Sequence, residues 1–256
     1  MIPISDANRS YRFPYVNVLL ILINILVYLY EVTLSDVNLS AQTRALVGFL
    51  YDWAVVPVEF TEGVDCRVAA QIICQHKGGL PPFLTLFSAM FMHGSLLHIG
   101  GNMLYLWVFG DNVESNMGHL KYLLFYLLSG ILASFAHIVF NTGSAVPSLG
   151  ASGAIAGVLA AYLVLYPHAQ IRTLLILVIF ITVTNVSALL LIGIWFLLQF
   201  FQGVTQLGAN AADSGGVAVW AHVGGFIAGL VLVFLFRGPR QPDYLEDSRY
   251  RRTPRW

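Results

Sequence analysis

The chain has 256 residues, of which 57% are hydrophobic and only 10% charged. Soluble domains carry about 25% charged residues, and one this apolar would expose large sticky patches, so composition excludes an ordinary soluble enzyme and indicates a membrane protein. Thirteen basic residues balance thirteen acidic ones, so no basic surface offers itself to nucleic acid.

A helix needs roughly 20 apolar residues to cross the hydrocarbon. Six stretches qualify in chain order: Phe13–Val32, Leu97–Glu114, Leu120–Phe140, Ser152–Tyr166, Val186–Val204 and Val217–Phe236. The fourth is short. The apolar run Ile171–Thr184 is too short to span and reads as interfacial, or as part of a long bent helix. The reading is an all-α membrane protein of six spans, with residues 13–236 as the membrane domain and 1–12 as a cytoplasmic segment. The tail, 237–256, carries three prolines and many charges and is expected to be disordered.

The first span follows Arg9 and Arg12. They resemble the basic start of a signal peptide, but a full span's length follows and no small-x-small cleavage site comes after it, so the segment is expected to stay. After it comes the longest connection, about 33–81. It mixes Asp52, Glu59, Glu62 and Asp65 with Phe49, Tyr51, Trp53 and Phe60, which suits an amphipathic segment lying in the interface. Cys66 and Cys74 also fall there. A disulfide and a pair of free thiols are both open, and neither cysteine has the second ligand pair of a metal site.

Six spans put Arg9, Arg12, Lys121, Arg172 and the six tail arginines on one side, against Arg44, Arg67 and Lys77 on the other. The positive-inside rule then places both termini in the cytoplasm.

Polar side chains inside spans are expensive, and each is a functional hypothesis. Ser152 opens the fourth span behind a glycine turn, Gly150-Ala151-Ser152-Gly153. Free backbone N–H groups and the positive end of the helix dipole converge there, which suits a developing oxyanion; an ordinary helix cap reads the same way. His222 sits near the non-cytoplasmic end of the sixth span. Gly225 and Gly229 follow on its face, and Gly153 and Gly157 form a second pair after Ser152. Such glycine pairs let helix backbones approach closely. If those two faces meet, the histidine arrives beside the serine. His98 and Asn102, four residues apart, share a face of the second span and can donate hydrogen bonds to an anionic oxygen. Interhelical packing is the competing reading for all of them. His93 reads as a cap or support, and Asp111 with Glu114 as structural groups at the cytoplasmic end. Asn17 and Asn24, seven apart, read as packing against a neighbour, and His137 has no matched partner in sequence. Asp213, in a loop before His222, is the carboxylate that could orient it, but a two-residue dyad is the reading preferred.

With these residues in place, the chain resembles the rhomboid intramembrane serine proteases. The resemblance rests on His93-(x4)-His98-(x3)-Asn102, Gly150-Ala151-Ser152-Gly153 and Ala221-His222-(x2)-Gly225-(x3)-Gly229, in this order on the second, fourth and sixth spans. It implies a six-helix bundle with a cavity open to the non-cytoplasmic side, Ser152 as nucleophile and His222 as general base. It also implies an oxyanion hole of His98, Asn102 and the Ser152 N–H, and a helix-tying role for Glu114. No cofactor or metal is implied. The substrates would be single-span or polytopic membrane proteins in the lipid bilayer, and a bacterial plasma membrane is the expected location. Two departures stand out. Trp53 is followed by Ala54 where many relatives carry Trp-Arg, and Ala156 stands where some place an aromatic against the histidine. A catalytically silent relative, or a small transporter lined by His98, Asn102 and His222, are the alternatives. A soluble α/β-hydrolase elbow is excluded because position 154 is alanine and no strand precedes the serine.

Overall fold

The computed structural model describes residues 1–8, 10, 12–34, 42–63, 80–177, 180–206 and 218–239. Cys66, Cys74, Asp213 and the tail from residue 240 lie outside the described residues. The chain is mostly helical. In order come β1 (Ile2–Asp6), α1 (Tyr15–Thr33), α2 (Gln42–Trp53), α3 (Pro57–Thr61), α4 (Pro82–Ser88) with a 3-10 turn (Ala89–Phe91), α5 (Leu96–Met117), α6 (His119–Phe140), α7 (Ser152–Leu165), β2 (Gln170–Leu177), β3 (Phe180–Ser187), α8 (Ala188–Gln206) and α9 (Val219–Phe236). Among the described residues, α1, α6, α8 and α9 are each long and apolar enough to cross a membrane. The α4 segment and α5 pass the same test as a pair bent by 81°, and α7, with 14 residues, is a shorter apolar helix.

The packing is that of a protein solvated by lipid. Along α1, Leu19, Leu22, Leu26 and Leu29 face outward, while Asn17, Leu20, Asn24 and Glu31 are buried. Polar groups turn inward because hydrocarbon offers them no partner. Asn17 receives the Tyr122 hydroxyl at 2.8 Å and donates to the Leu106 carbonyl at 2.9 Å. Asn24 donates to the Leu20 carbonyl in its own helix at 2.7 Å.

The first turn of α1 leaves backbone N–H groups without carbonyl partners. The buried Glu114 carboxylate, from the far end of α5, accepts those of Val16 at 3.0 Å and Asn17 at 2.7 Å and also binds His119 Nδ1. Charge-assisted bonds of this kind contribute about 1.5–3 kcal/mol each, which offsets the expense of burying the carboxylate.

Helix α7 is enclosed rather than lipid-facing. Gly153 to Tyr162 are all buried, inside a core that includes Phe109, Phe125 and Phe226. A helix wrapped by protein need not match the bilayer thickness, so 14 residues suffice. Two short segments of the first loop, α2 and α3, lie against the chain that leads into α7. Val55 and Ser148 exchange both backbone bonds, at 3.0 and 2.7 Å, and Val58 N–H donates to Ser144.

The run 171–184 is not a helix. Its residues form most of a hairpin, β2 against β3, and β1 adds as a third antiparallel strand with Ile2 opposite Leu174. β-branched residues dominate the run (Ile171, Thr173, Ile176, Ile181, Thr182, Val183, Thr184), and these favour pleated backbone over helix. The expected N-terminal segment thus contributes a strand. The sheet joins the chain start to the α7–α8 connection at one end of the bundle, while Ser152 opens α7 at the other, about 20 Å away at 1.5 Å per helical residue.

Asp6 anchors β1. Its carboxylate accepts from the Tyr162 hydroxyl at 2.7 Å and from the Asn112 amide at 2.8 Å. Burial, with the Asp111 carboxylate nearby, pushes the Asp6 carboxyl up to about 7 despite the Tyr162 donor. The folded chain therefore holds a proton that the detached strand releases near 3.8. A raised carboxyl pKa means that stability is lost as pH rises through the window between about 4 and 7. The expected result is faster amide exchange of residues 2–6 at pH 8 than at pH 5, after correction for intrinsic rates. Asp6→Asn, which keeps an acceptor but not the charge, should flatten that difference. Equal protection at both pH values in the unaltered chain would count against this account.

Candidate active site

Ser152 is delivered by backbone geometry. Gly150 adopts φ +128°, a region that side chains strain to enter, and its N–H donates to the Ala89 carbonyl at 2.8 Å. A Cβ there would lie 2.8 Å from the His98 ring and 3.6 Å from Ser152 Oγ, so the absent side chain is what lets His98 and the serine share one corner. Ser152 is the first residue of α7, where N–H groups have no intrahelical acceptor.

The histidine arrives by close helix approach. Gly153 and Gly157 on α7 face Gly225 and Gly229 on α9. A Cβ on Gly225 would lie 2.9 Å from the Gly153 carbonyl carbon, and one on Gly229 would lie 2.5 Å from Gly157 Cα. The small residues Ser129 and Ala133 of α6 fill the third side. With the backbones this near, the Ser152 hydroxyl and His222 Nε2 are 2.7 Å apart. His222 Nδ1 is 2.6 Å from Gln199 Oε1, on α8, and Trp195 of the same helix lies 6.0 Å from the imidazole, centroid to centroid.

The α4–α5 bend supplies the opposite wall. Ser95 caps α5 by accepting from His98 N–H at 3.2 Å. His93, before the cap, lies edge-on to the His98 ring at 5.0 Å, and its Nε2 is 2.9 Å from Asn102 Nδ2. The amide can only donate there, so His93 Nε2 accepts and its proton sits on Nδ1. One Asn102 N–H is thus committed to His93 and the second is left for another acceptor. The His93 backbone N–H donates to the buried Glu31 carboxylate of α1, at 3.1 and 3.3 Å. His93 thus supports Asn102 as well as shaping the bend.

A small pocket of about 20 Å3, room for one water, adjoins the serine and is lined by Met90, Ser134, Ser148, Gly150, Gly153 and Ala221 among others. Among the described residues no group of His, Cys, Asp or Glu side chains is placed to hold a metal ion. His137 pairs with Asn141, at 3.3 Å, rather than joining the serine.

Two polar groups of this site are absent from the sequence reading, Gln199 and Glu31. Glu31 is the one charged residue in Phe13–Val32, and Gln199 lies inside the fifth apolar stretch. The rule that an intramembrane polar group needs a partner flags both.

A bent span, a short enclosed helix opened by a serine, and a histidine on a glycine-lined helix together define a polytopic membrane protein with a serine hydroxyl and an imidazole in hydrogen-bonding contact. Residues 82–239 match the rhomboid domain, and the chain belongs to the rhomboid family. It is 36% identical over 135 residues to presenilin-associated rhomboid-like protein A, mitochondrial, of Danio rerio, covering 50% of this chain and 34% of that one. It is 35% identical over 92 residues to rhomboid protein 1, mitochondrial, of Saccharomyces cerevisiae, covering 34% and 27%. Over 178 residues it is 33% identical to rhomboid protease GluP of Bacillus subtilis, covering 64% and 33%. The chain spans about a third or less of the length of these relatives.

Proposed function

We propose that the chain is an intramembrane serine endopeptidase that hydrolyses peptide bonds in or near the transmembrane segments of membrane-protein substrates. The observation that carries this reading is the 2.7 Å approach of Ser152 Oγ to His222 Nε2 at the start of α7. His222 takes the hydroxyl proton as Ser152 attacks the carbonyl, then returns it to the departing amine, which leaves an acyl-enzyme for water to cleave. His98, the uncommitted Asn102 N–H and the Ser152 backbone N–H stabilise the anionic oxygen. No cofactor enters the reaction. The small pocket supports a small residue beside the scissile bond. Paired helical carbonyls resist attack, which supports a locally unwound, Gly- or Ala-rich target.

In this reading residues 13–236 make six crossings, with the α4–α5 pair as the second and α7 as the short fourth. Both termini are cytoplasmic, and the sheet, which joins β1 to the α7–α8 connection, supports putting those two segments on one side. The site then opens on the other side. The membrane proposed is a bacterial plasma membrane, supported by the match to the Bacillus protease over 64% of the chain, while the other two relatives are mitochondrial.

The test is labelling with a serine-directed fluorophosphonate, together with cleavage of a single-span reporter in proteoliposomes. The expected adduct is on Ser152, and Ser152→Ala loses both label and cleavage. A chain that neither labels nor cleaves is a silent relative, and flux of solutes through the same liposomes would favour a transporter.

A further inference from the structure

We propose that Gln199 is the positioning residue of this site: it fixes the tautomer and the aim of His222. The inference rests on the endopeptidase reading above. An amide presents either its oxygen or its NH2 group to Nδ1, and the two faces impose opposite tautomers. With Oε1 toward the ring, at 2.6 Å, Nδ1 carries the proton, and Nε2 keeps its lone pair for the Ser152 hydroxyl at 2.7 Å. With NH2 toward the ring, Nε2 would be protonated and could not accept. A base needs its other nitrogen bonded to a fixed acceptor, the role a carboxylate plays in the serine triads. A neutral amide does this without burying a charge among apolar helices.

The helix is built to present it. Leu191, Trp195, Gln199 and Gly203 recur at four-residue spacing along α8, in a row that winds gradually around the helix. Leu191 and Gly203 are buried, and a Cβ on Gly203 would already meet Trp220 of α9 at 3.3 Å. Phe196 stacks on Phe226 of α9 at 4.3 Å, so α8 meets α9 on either side of the amide, and Trp195 lies beside the imidazole. The groups facing His222 are thus Ser152 from α7, Gln199 and Trp195 from α8, and the titratable His98 of α5 and His137 of α6.

The test compares the unaltered chain with Gln199→Leu and Gln199→Glu, reading kcat, KM, the pH–rate profile and the 15N shifts of labelled histidine. Gln199→Leu is expected to lower kcat about 10- to 100-fold with little change in KM, because the imidazole then divides its time between tautomers and orientations. The histidine spectrum should change from one Nδ1–H tautomer to a mixture. Gln199→Glu keeps the acceptor and restores most of kcat. Its negative charge favours the imidazolium, so the acid limb of the profile moves to higher pH. A merely structural glutamine would move neither that limb nor the tautomer. If the unaltered chain does not cleave or label, the endopeptidase reading fails, and the tautomer shift still judges the positioning role. If the unaltered chain cleaves and Gln199→Leu matches it in kcat, tautomer and pH limb, the positioning role alone is overturned. Should Gln199→Leu fail to fold, Gln199→Glu decides: an unmoved acid limb overturns the proposal.

Discussion

His222→Ala is expected to lower cleavage of a single-span reporter by about 10^4-fold or more, with the helical spectrum and detergent elution volume unchanged. The serine would lose the acceptor 2.7 Å from its oxygen, and a free hydroxyl is a poor nucleophile at neutral pH. The fold has little stake in this imidazole, which is half-buried and bonded to Ser152 and Gln199, two other residues of the same site. Ser152→Ala should lose as much. The double variant should be no slower than either single one, because residues that act as one unit are not additive. Additive losses would show that serine and histidine work separately, and the dyad would have to be abandoned.

The second large effect falls on residues that touch no substrate. Gly225→Val and Gly229→Val would each drive a side chain into the α7 backbone, at Gly153 and Gly157. The atoms in the way are backbone, so the helices must separate. Overpacking costs about 1–3 kcal/mol where side chains can yield, and rigid backbone puts these positions at the upper end or beyond. Parting α7 from α9 also pulls His222 from Ser152. Thermal midpoint in detergent and fluorophosphonate labelling are therefore expected to fall together. Gly193→Ala on α8 is the control, since a Cβ there meets nothing within 4 Å. Gly225→Val with native labelling would mean that the close approach is not what brings the dyad together.

These expectations divide according to how local their cause is. The six apolar stretches lie within a few residues of α1, α5, α6, α7, α8 and α9. A helix in lipid must satisfy its backbone within itself, so each stretch carries its own structural signal. The positions of Ser152 behind a glycine turn, of the two glycine pairs, and of Glu114 at the far end of α5 were legible for the same reason. His93 reads in sequence as a cap or support. Its bond to Asn102 is not legible there, because it depends on an 81° bend that no single residue announces.

The sheet shows the limit most plainly. Ile171–Thr184 was apolar enough to read as helix or interfacial segment, although its β-branched content already favoured a strand. Its partner β1 is drawn from the first residues of the chain, Ile2 pairing with Leu174, and pairing over that separation leaves no periodic trace. Gln199 and Glu31 are similar cases, each an ordinary exception in an apolar run until another helix supplies its partner.

The sequence by itself determined that this chain lives in a membrane, where its six long apolar segments lie to within a few residues, and which serine and histidine could meet, because hydrophobic length and glycine spacing are properties of one segment at a time. The tertiary structure alone decided which distant groups meet: the Glu31 carboxylate of α1 on the bend, β1 on the hairpin between α7 and α8, and the Gln199 amide of α8 on the imidazole. Each joins segments distant in sequence, and only the packed bundle brings such groups within hydrogen-bonding distance.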